Sequence, residues 1–178
     1  MIIGLIPGAM KPYHAGHHFL TKIAMQECDQ VRIFTTVKSR GPIPGMAMYN
    51  IWNKIIIPRL DSRVTVSFGP SPVTLVYQIL EDEQVSPTNI MYRLYGGTED
   101  LTRFNSDYIR KKFPNVANRF INVAESSSAN FLRGVGASPM AKGTWIRKAL
   151  ESGNVEKFKS MMPEFLQSSA EDIFNMLK

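Results

Sequence analysis

The chain has 178 residues, 44% of them apolar and 20% charged, which is the size of one compact domain with a sizeable core. Its 12 glycines and 11 prolines do not gather into low-complexity tracts, which excludes a collagenous or disordered chain, and no apolar run approaches the roughly 20 residues of a membrane span. Lys plus Arg number 21 against 15 acids, and the net charge of +6 suits a polyanionic partner, either a nucleic acid or a small phosphate ligand.

Ile2 to Ile6 is a short apolar run ended by Pro7-Gly8, the pattern of a buried strand and a loop. This start lacks the basic region and cleavage pattern of a signal peptide. From His17 the apolar residues Phe19, Leu20, Ile23 and Ala24 recur at helical spacing, predicting a helix to about Glu27. The single cysteine, Cys28, follows; it excludes an internal disulfide framework and a multi-cysteine zinc site, and points to a reducing, cytosol-like compartment. Val31–Val37 has the β-branched and aromatic composition of a second strand. Lys38–Gly45, with Gly41, Pro42 and Pro44, reads as a loop, and a helix is predicted from Met46 to about Ile57, near Pro58.

Arg63–Phe68 is strand-like, Val73–Glu83 helical, Asn89–Tyr95 a fourth strand and Phe120–Val123 a weaker fifth. Alternation of this kind predicts a parallel α/β sheet of about five strands with helices on both faces. The last third reads as three helices, Thr144–Leu150, Val155–Met162 and Ala170–Leu177, with Ser168 and Glu171 placed for a capping box.

In such a sheet, ligands bind beyond the carboxyl ends of the strands. The loop there reads Gly8-Ala9-Met10-Lys11-Pro12-Tyr13-His14-Ala15-Gly16-His17-His18, and it holds all three histidines of the chain. They could be surface histidines in a polar turn. They could belong to a metal site, although a stable zinc site wants three or four protein ligands and no complete set is apparent. Or they could serve phosphate recognition: Gly8 and Gly16 let the backbone come close, a helix start points N–H groups outward, and imidazoles add donors. The phosphate reading fits every residue type in the loop.

Gly8-x-x-x-Pro12-x-His14-x-Gly16-His17 resembles the HxGH signature of the nucleotidyltransferase superfamily, and its loop is closest to those of the nicotinamide-nucleotide adenylyltransferases. Gly143-Thr144-Trp145-Ile146-Arg147 is similar to the family's second signature, S/T-x-T-x-x-R, which opens a late helix over the triphosphate. Lys142 stands where that signature has Ser, and Lys11 where the loop often has Asp or Gln. Ser127–Arg133, with Asn130 in the Thr position, is a weaker candidate for the same motif. No P-loop occurs, and Gly134-Val135-Gly136 lacks the third glycine of a dinucleotide fingerprint.

The resemblance implies a Rossmann-like domain over residues 1–178, with 144–178 as its helical C-terminal part. It implies transfer of a nucleoside monophosphate, AMP from ATP or CMP from CTP, to a phosphate-bearing small molecule such as nicotinamide mononucleotide, with release of pyrophosphate. His17 and His14 would stabilise the α-phosphate, Arg147 and Thr144 would hold the leaving phosphates, and Lys11 would reach the acceptor or the α-phosphate. Gly8, Ala9, Met10 and Gly16 would line the nucleotide, and Gly96, Thr98, Asp100 and Arg103 would meet its base and ribose. Magnesium (Mg2+) would be held by the substrate rather than by protein ligands. The rival reading is a nucleotide- or nucleic-acid-binding module on the same fold, with Lys11, Lys38, Arg40, Arg110, Lys111 and Lys112 as a basic surface.

Overall fold

The computed structural model describes residues 1–96, 103–123 and 143–178. Strands β1 (Ile2–Pro7), β2 (Gln30–Thr36), β3 (Val64–Gly69), β4 (Met91–Leu94) and β5 (Phe120–Asn122) form one sheet in the order β3-β2-β1-β4-β5. Every neighbouring pair is parallel. The strand order therefore reverses between β1 and β4. The helices are α1 (Ala15–Glu27), α2 (Gly45–Ile51), α3 (Pro72–Val85), α4 (Ser106–Lys112), α5 (Gly143–Glu151), α6 (Val155–Ser160) and α7 (Ala170–Leu177).

Burial on both faces explains the unbroken apolar run of β1. Ile3 and Leu5 pack with α3 and α4 through Val76, Leu80 and Ile109. Ile6 faces the other way, into a layer shared by α1, α2 and the C-terminal helices, with Ala24, Trp52, Ile146 and Phe158. At Gly4 a Cβ would lie 3.2 Å from both Ala24 Cβ and Cys28 Sγ, so α1 lies close against β1 there. No helix among the described residues is long and apolar enough to cross a membrane.

The boundaries differ from expectation at several places, each for a local reason. α1 begins at Ala15, two residues before His17, because His14 caps it. After α2 the chain continues through a π-turn, Trp52–Ile56, and a short 3-10 turn, Ile57–Arg59. Pro58 has no N–H to continue the ordinary ladder, and Ile57 donates back to the Trp52 carbonyl. The Ser168–Glu171 capping box is not formed. A 3-10 turn, Glu164–Ser169, runs directly into α7, and the hydroxyl of Ser169 accepts from Arg59 at 2.7 Å. α5 ends at Glu151; Gly153 just beyond it has a φ of 71°, in the left-handed region, and the Asn154 side chain caps α6 by accepting from Lys157 N–H at 3.1 Å.

Candidate active site

The loop after β1 lies at the carboxyl edge of the sheet, beside the reversal of strand order. Gly8 N–H donates to the Phe34 carbonyl at 2.9 Å, and the Thr35 hydroxyl donates to the Ala9 carbonyl at 2.9 Å. Both bonds fasten the loop to the end of β2. Met10, 2% exposed, has a φ of 49°, a left-handed conformation that a non-glycine residue adopts only when its surroundings hold it there.

His14 and His17 then cap α1 reciprocally. His14 Nδ1 accepts from Gly16 N–H at 3.0 Å, and His17 Nδ1 accepts from His14 N–H at 3.3 Å. The pair does the work of a Ser/Thr–Glu capping box with two imidazoles. Their rings stack with centroids 3.8 Å apart and planes 23° apart. An Nδ1 that accepts cannot carry a proton, so each neutral ring carries its proton on Nε2 and presents a donor there. Burial, then the Arg147 charge, brings His14 down to about 4; burial, then His14 itself, holds His17 well below its ordinary value. Both imidazoles are neutral donors at physiological pH.

The sequence expects free backbone N–H groups at the start of α1. Instead Ala15 N–H donates to the Met161 carbonyl at 2.9 Å, and Gly16 N–H is taken by His14. The imidazoles pass this donor capacity outward through Nε2. Tyr13 supports them from below: it stacks on His17 at 5.8 Å and meets the Trp52 ring at 5.0 Å. Its hydroxyl bonds His18 Nδ1 at 2.9 Å and Thr21 Oγ1 at 3.1 Å. His18 thus belongs to this support, with its ring over Phe165 at 4.6 Å, and not to the stacked pair.

Arg147 comes from α5 and donates through Nη1 to the Lys11 carbonyl at 3.0 Å. Two glycines leave room for it: a Cβ on Gly143 would lie 2.9 Å from Nη1, and one on Gly41 3.4 Å from Cδ. Burial and then the Arg40 charge lower the pKa of Arg147; the same two causes bring Lys11 down to about 8. Two cations, each disfavoured by burial and by the same neighbouring Arg40, suit a negatively charged ligand. Lys11 departs from expectation: its ammonium does not project outward but turns in to the carbonyls of Ala9 and Thr36. Two neutral Nε2–H donors beside a cationic cluster can hold the oxygens of a polyphosphate. Among the described residues no group of three or more His, Cys, Asp or Glu could hold a metal ion.

Among protein-family models and curated proteins, none matches the sequence. Solved structures do. Nicotinic acid mononucleotide adenylyltransferase of Plasmodium falciparum, complexed with APC, is similar over 98% of this chain and 98% of its own, with a TM-score of 0.56 and 15% identity. Its complex with NaAD gives 0.54 at 14% identity, over the same shares. The bifunctional NMN adenylyltransferase/ADP ribose pyrophosphatase of Francisella tularensis, complexed with AMP and a Mn ion, is similar over 99% of this chain, with a TM-score of 0.54 and 14% identity. This chain spans 51% of that protein's length. The chain has the nucleotidyltransferase fold.

Within that fold, the remaining expected residues divide. Thr144 is exposed on the first turn of α5, one turn before Arg147, and Gly96 is half-buried just beyond β4. Thr98, Asp100, Lys142, Ser127–Arg133 and Gly134–Gly136 lie outside the described residues. Arg103 does not join the histidines: it is exposed on the face carried by α3, and its carbonyl accepts from the Tyr77 hydroxyl at 2.8 Å. Sequence reasoning assigned no role in the site to Tyr13, and placed Arg40 only on a general basic surface. The one signal for Arg40 was its place in a Gly/Pro loop after β2, at the same edge of the sheet.

The histidine caps also set the acid stability. His14 is depressed when folded and ordinary when unfolded, so between about pH 6.5 and 4 the unfolded chain binds more protons. Its contribution to stability is complete above about pH 6.5 and is lost as the pH falls toward 4. His14→Asn keeps a capping side chain and removes this titration. The melting temperature of the wild type should fall as pH is lowered through this window, and that of His14→Asn should fall less steeply; equal slopes would assign the acid sensitivity to other groups.

Proposed function

We propose that the protein transfers AMP from ATP to the phosphate of a mononucleotide acceptor, with nicotinamide mononucleotide the leading candidate, and releases pyrophosphate. The observation that carries this reading is the reciprocal histidine cap, which fixes two stacked rings with both Nε2–H donors available beside Arg147 and Lys11. The nucleotides named for the two similar adenylyltransferases support the same class of substrate.

An oxygen of the acceptor's phosphate forms the new bond to the α-phosphorus of ATP. The bond from that phosphorus to the α–β bridging oxygen breaks, and pyrophosphate leaves with the electron pair. The acceptor phosphate is already an anion, so no general base is needed, and catalysis is positioning and charge stabilisation. His17 and His14 hold the non-bridging oxygens of the α-phosphate, while Arg147 and Thr144 hold the β- and γ-phosphates. Gly8, Ala9, Met10 and Gly16 line the nucleotide, whose base lies beyond β4 near Gly96, with Thr98 and Asp100. Magnesium would be carried by the triphosphate, where it would screen the phosphate charge. The whole chain works as one such domain, in a reducing, cytosol-like compartment.

Pyrophosphate release from ATP and from CTP, with nicotinamide mononucleotide, phosphopantetheine, flavin mononucleotide, glycerol phosphate and choline phosphate as acceptors, tests the reading. ATP with nicotinamide mononucleotide should be the productive pair; turnover with another acceptor alone would overturn that choice. The sequence, with histidines at their reference pKa of roughly 6.5, predicts activity rising through the acidic range. With His14 brought down to about 4, kcat/KM should show no inflection between pH 5.5 and 7 beyond the second ionisation of the substrate phosphates, at about 6. A further inflection near 6.5, absent from the titration of the substrates themselves, would contradict the neutral histidine pair.

A further inference from the structure

We infer that Lys11 is a positioning residue whose ammonium ties the loop after β1 to the end of β2 and is held charged by the phosphates of the bound nucleotide, so that nucleotide binding takes up a proton. This rests on the nucleotide-binding reading above. Lys11 is 2% exposed, and its Nζ donates to the carbonyl of Ala9 at 3.0 Å and to that of Thr36. The Thr35 hydroxyl donates to the same Ala9 carbonyl, and Arg147 to the carbonyl of Lys11 itself. One residue therefore connects the histidine loop, β2 and α5.

Two carbonyl acceptors match the two N–H bonds of a neutral amine. An ammonium has a third, and among the described residues the hydrogen bonds of Nζ go to Ala9 and Thr36. The charged groups around it do not help the charged form. Arg40, from the loop after β2, repels it; Arg147, from α5, is a second cation; His14, from α1, is neutral; and Glu151, on α5, acts on Arg147. Burial, then Arg40, brings Lys11 to about 8. A polyphosphate at the site reverses the sign of the local field and restores the proton.

The test is calorimetric titration of the full chain with the magnesium complex of α,β-methylene ATP, in pairs of buffers that differ in ionisation enthalpy. Uptake should be about half a proton at pH 8 and near zero at pH 6.5, and Kd should rise about fivefold between pH 8 and 9. Lys11→Gln keeps an amide donor for the carbonyls and cannot titrate, so its uptake at pH 8 should vanish. Binding by the wild type without uptake at pH 8, or the same uptake in Lys11→Gln, would overturn the inference, and the wild-type result decides by itself if the variant does not fold. Failure to bind at any pH would overturn the nucleotide reading instead.

Discussion

His17→Ala should lower kcat by about 10²–10³-fold while leaving KM for ATP little changed, because the lost donor acts where charge develops in the transition state; that corresponds to about 2.7–4 kcal/mol. The side chain has two jobs: its Nδ1 accepts from His14 N–H at 3.3 Å, and its Nε2–H is the donor. Removing the first job alone costs stability of about 0.5–2 kcal/mol, the scale of a lost cap. His17→Gln separates the two. Gln at this position completes an ordinary capping box, so its melting temperature should stay near the wild-type value while turnover stays low. Wild-type kcat in either variant would remove His17 from the chemistry.

Arg147→Ala should reduce kcat/KM for ATP by about tenfold to 150-fold, the equivalent of the about 1.5–3 kcal/mol of a charged hydrogen bond. One N–H of the guanidinium is committed to the Lys11 carbonyl at 3.0 Å, which aims the remaining donors. Arg147→Lys keeps the charge but lacks the planar fork, and cannot both hold that carbonyl and face a phosphate. It should recover little. The loss should appear mainly in KM for ATP and not in KM for the acceptor, measured by pyrophosphate release at saturating co-substrate. Full recovery by Lys would reduce the role of Arg147 to a general positive charge.

The fold could be read from the sequence because the signals are local. β1 and β2 are apolar runs closed by Pro-Gly and by a Gly/Pro loop, and a sheet buried on both faces demands such runs. The pair His14 and His17 could be located for the same reason, but its geometry could not. Imidazoles are not among the usual capping residues, so the apolar pattern points to a helix start at His17, two residues inside α1, with free backbone N–H groups. The inward turn of Lys11 depends on Thr36, 25 positions away, and its link to Arg147 spans 136 positions. Such contacts arise only once the strand ends are brought to one edge. The tie of the Arg103 carbonyl to the Tyr77 hydroxyl on α3 spans 26 positions and is equally invisible to local pattern.

The most direct measurement is the mass and stoichiometry of products from ATP, magnesium and nicotinamide mononucleotide. The account predicts one dinucleotide, the acceptor with AMP joined through its phosphate, for each pyrophosphate released, with both lost in His17→Ala. ATP binding with no pyrophosphate released to any acceptor, together with salt-dependent binding of oligonucleotides, would contradict it and establish a binding module on the nucleotidyltransferase fold.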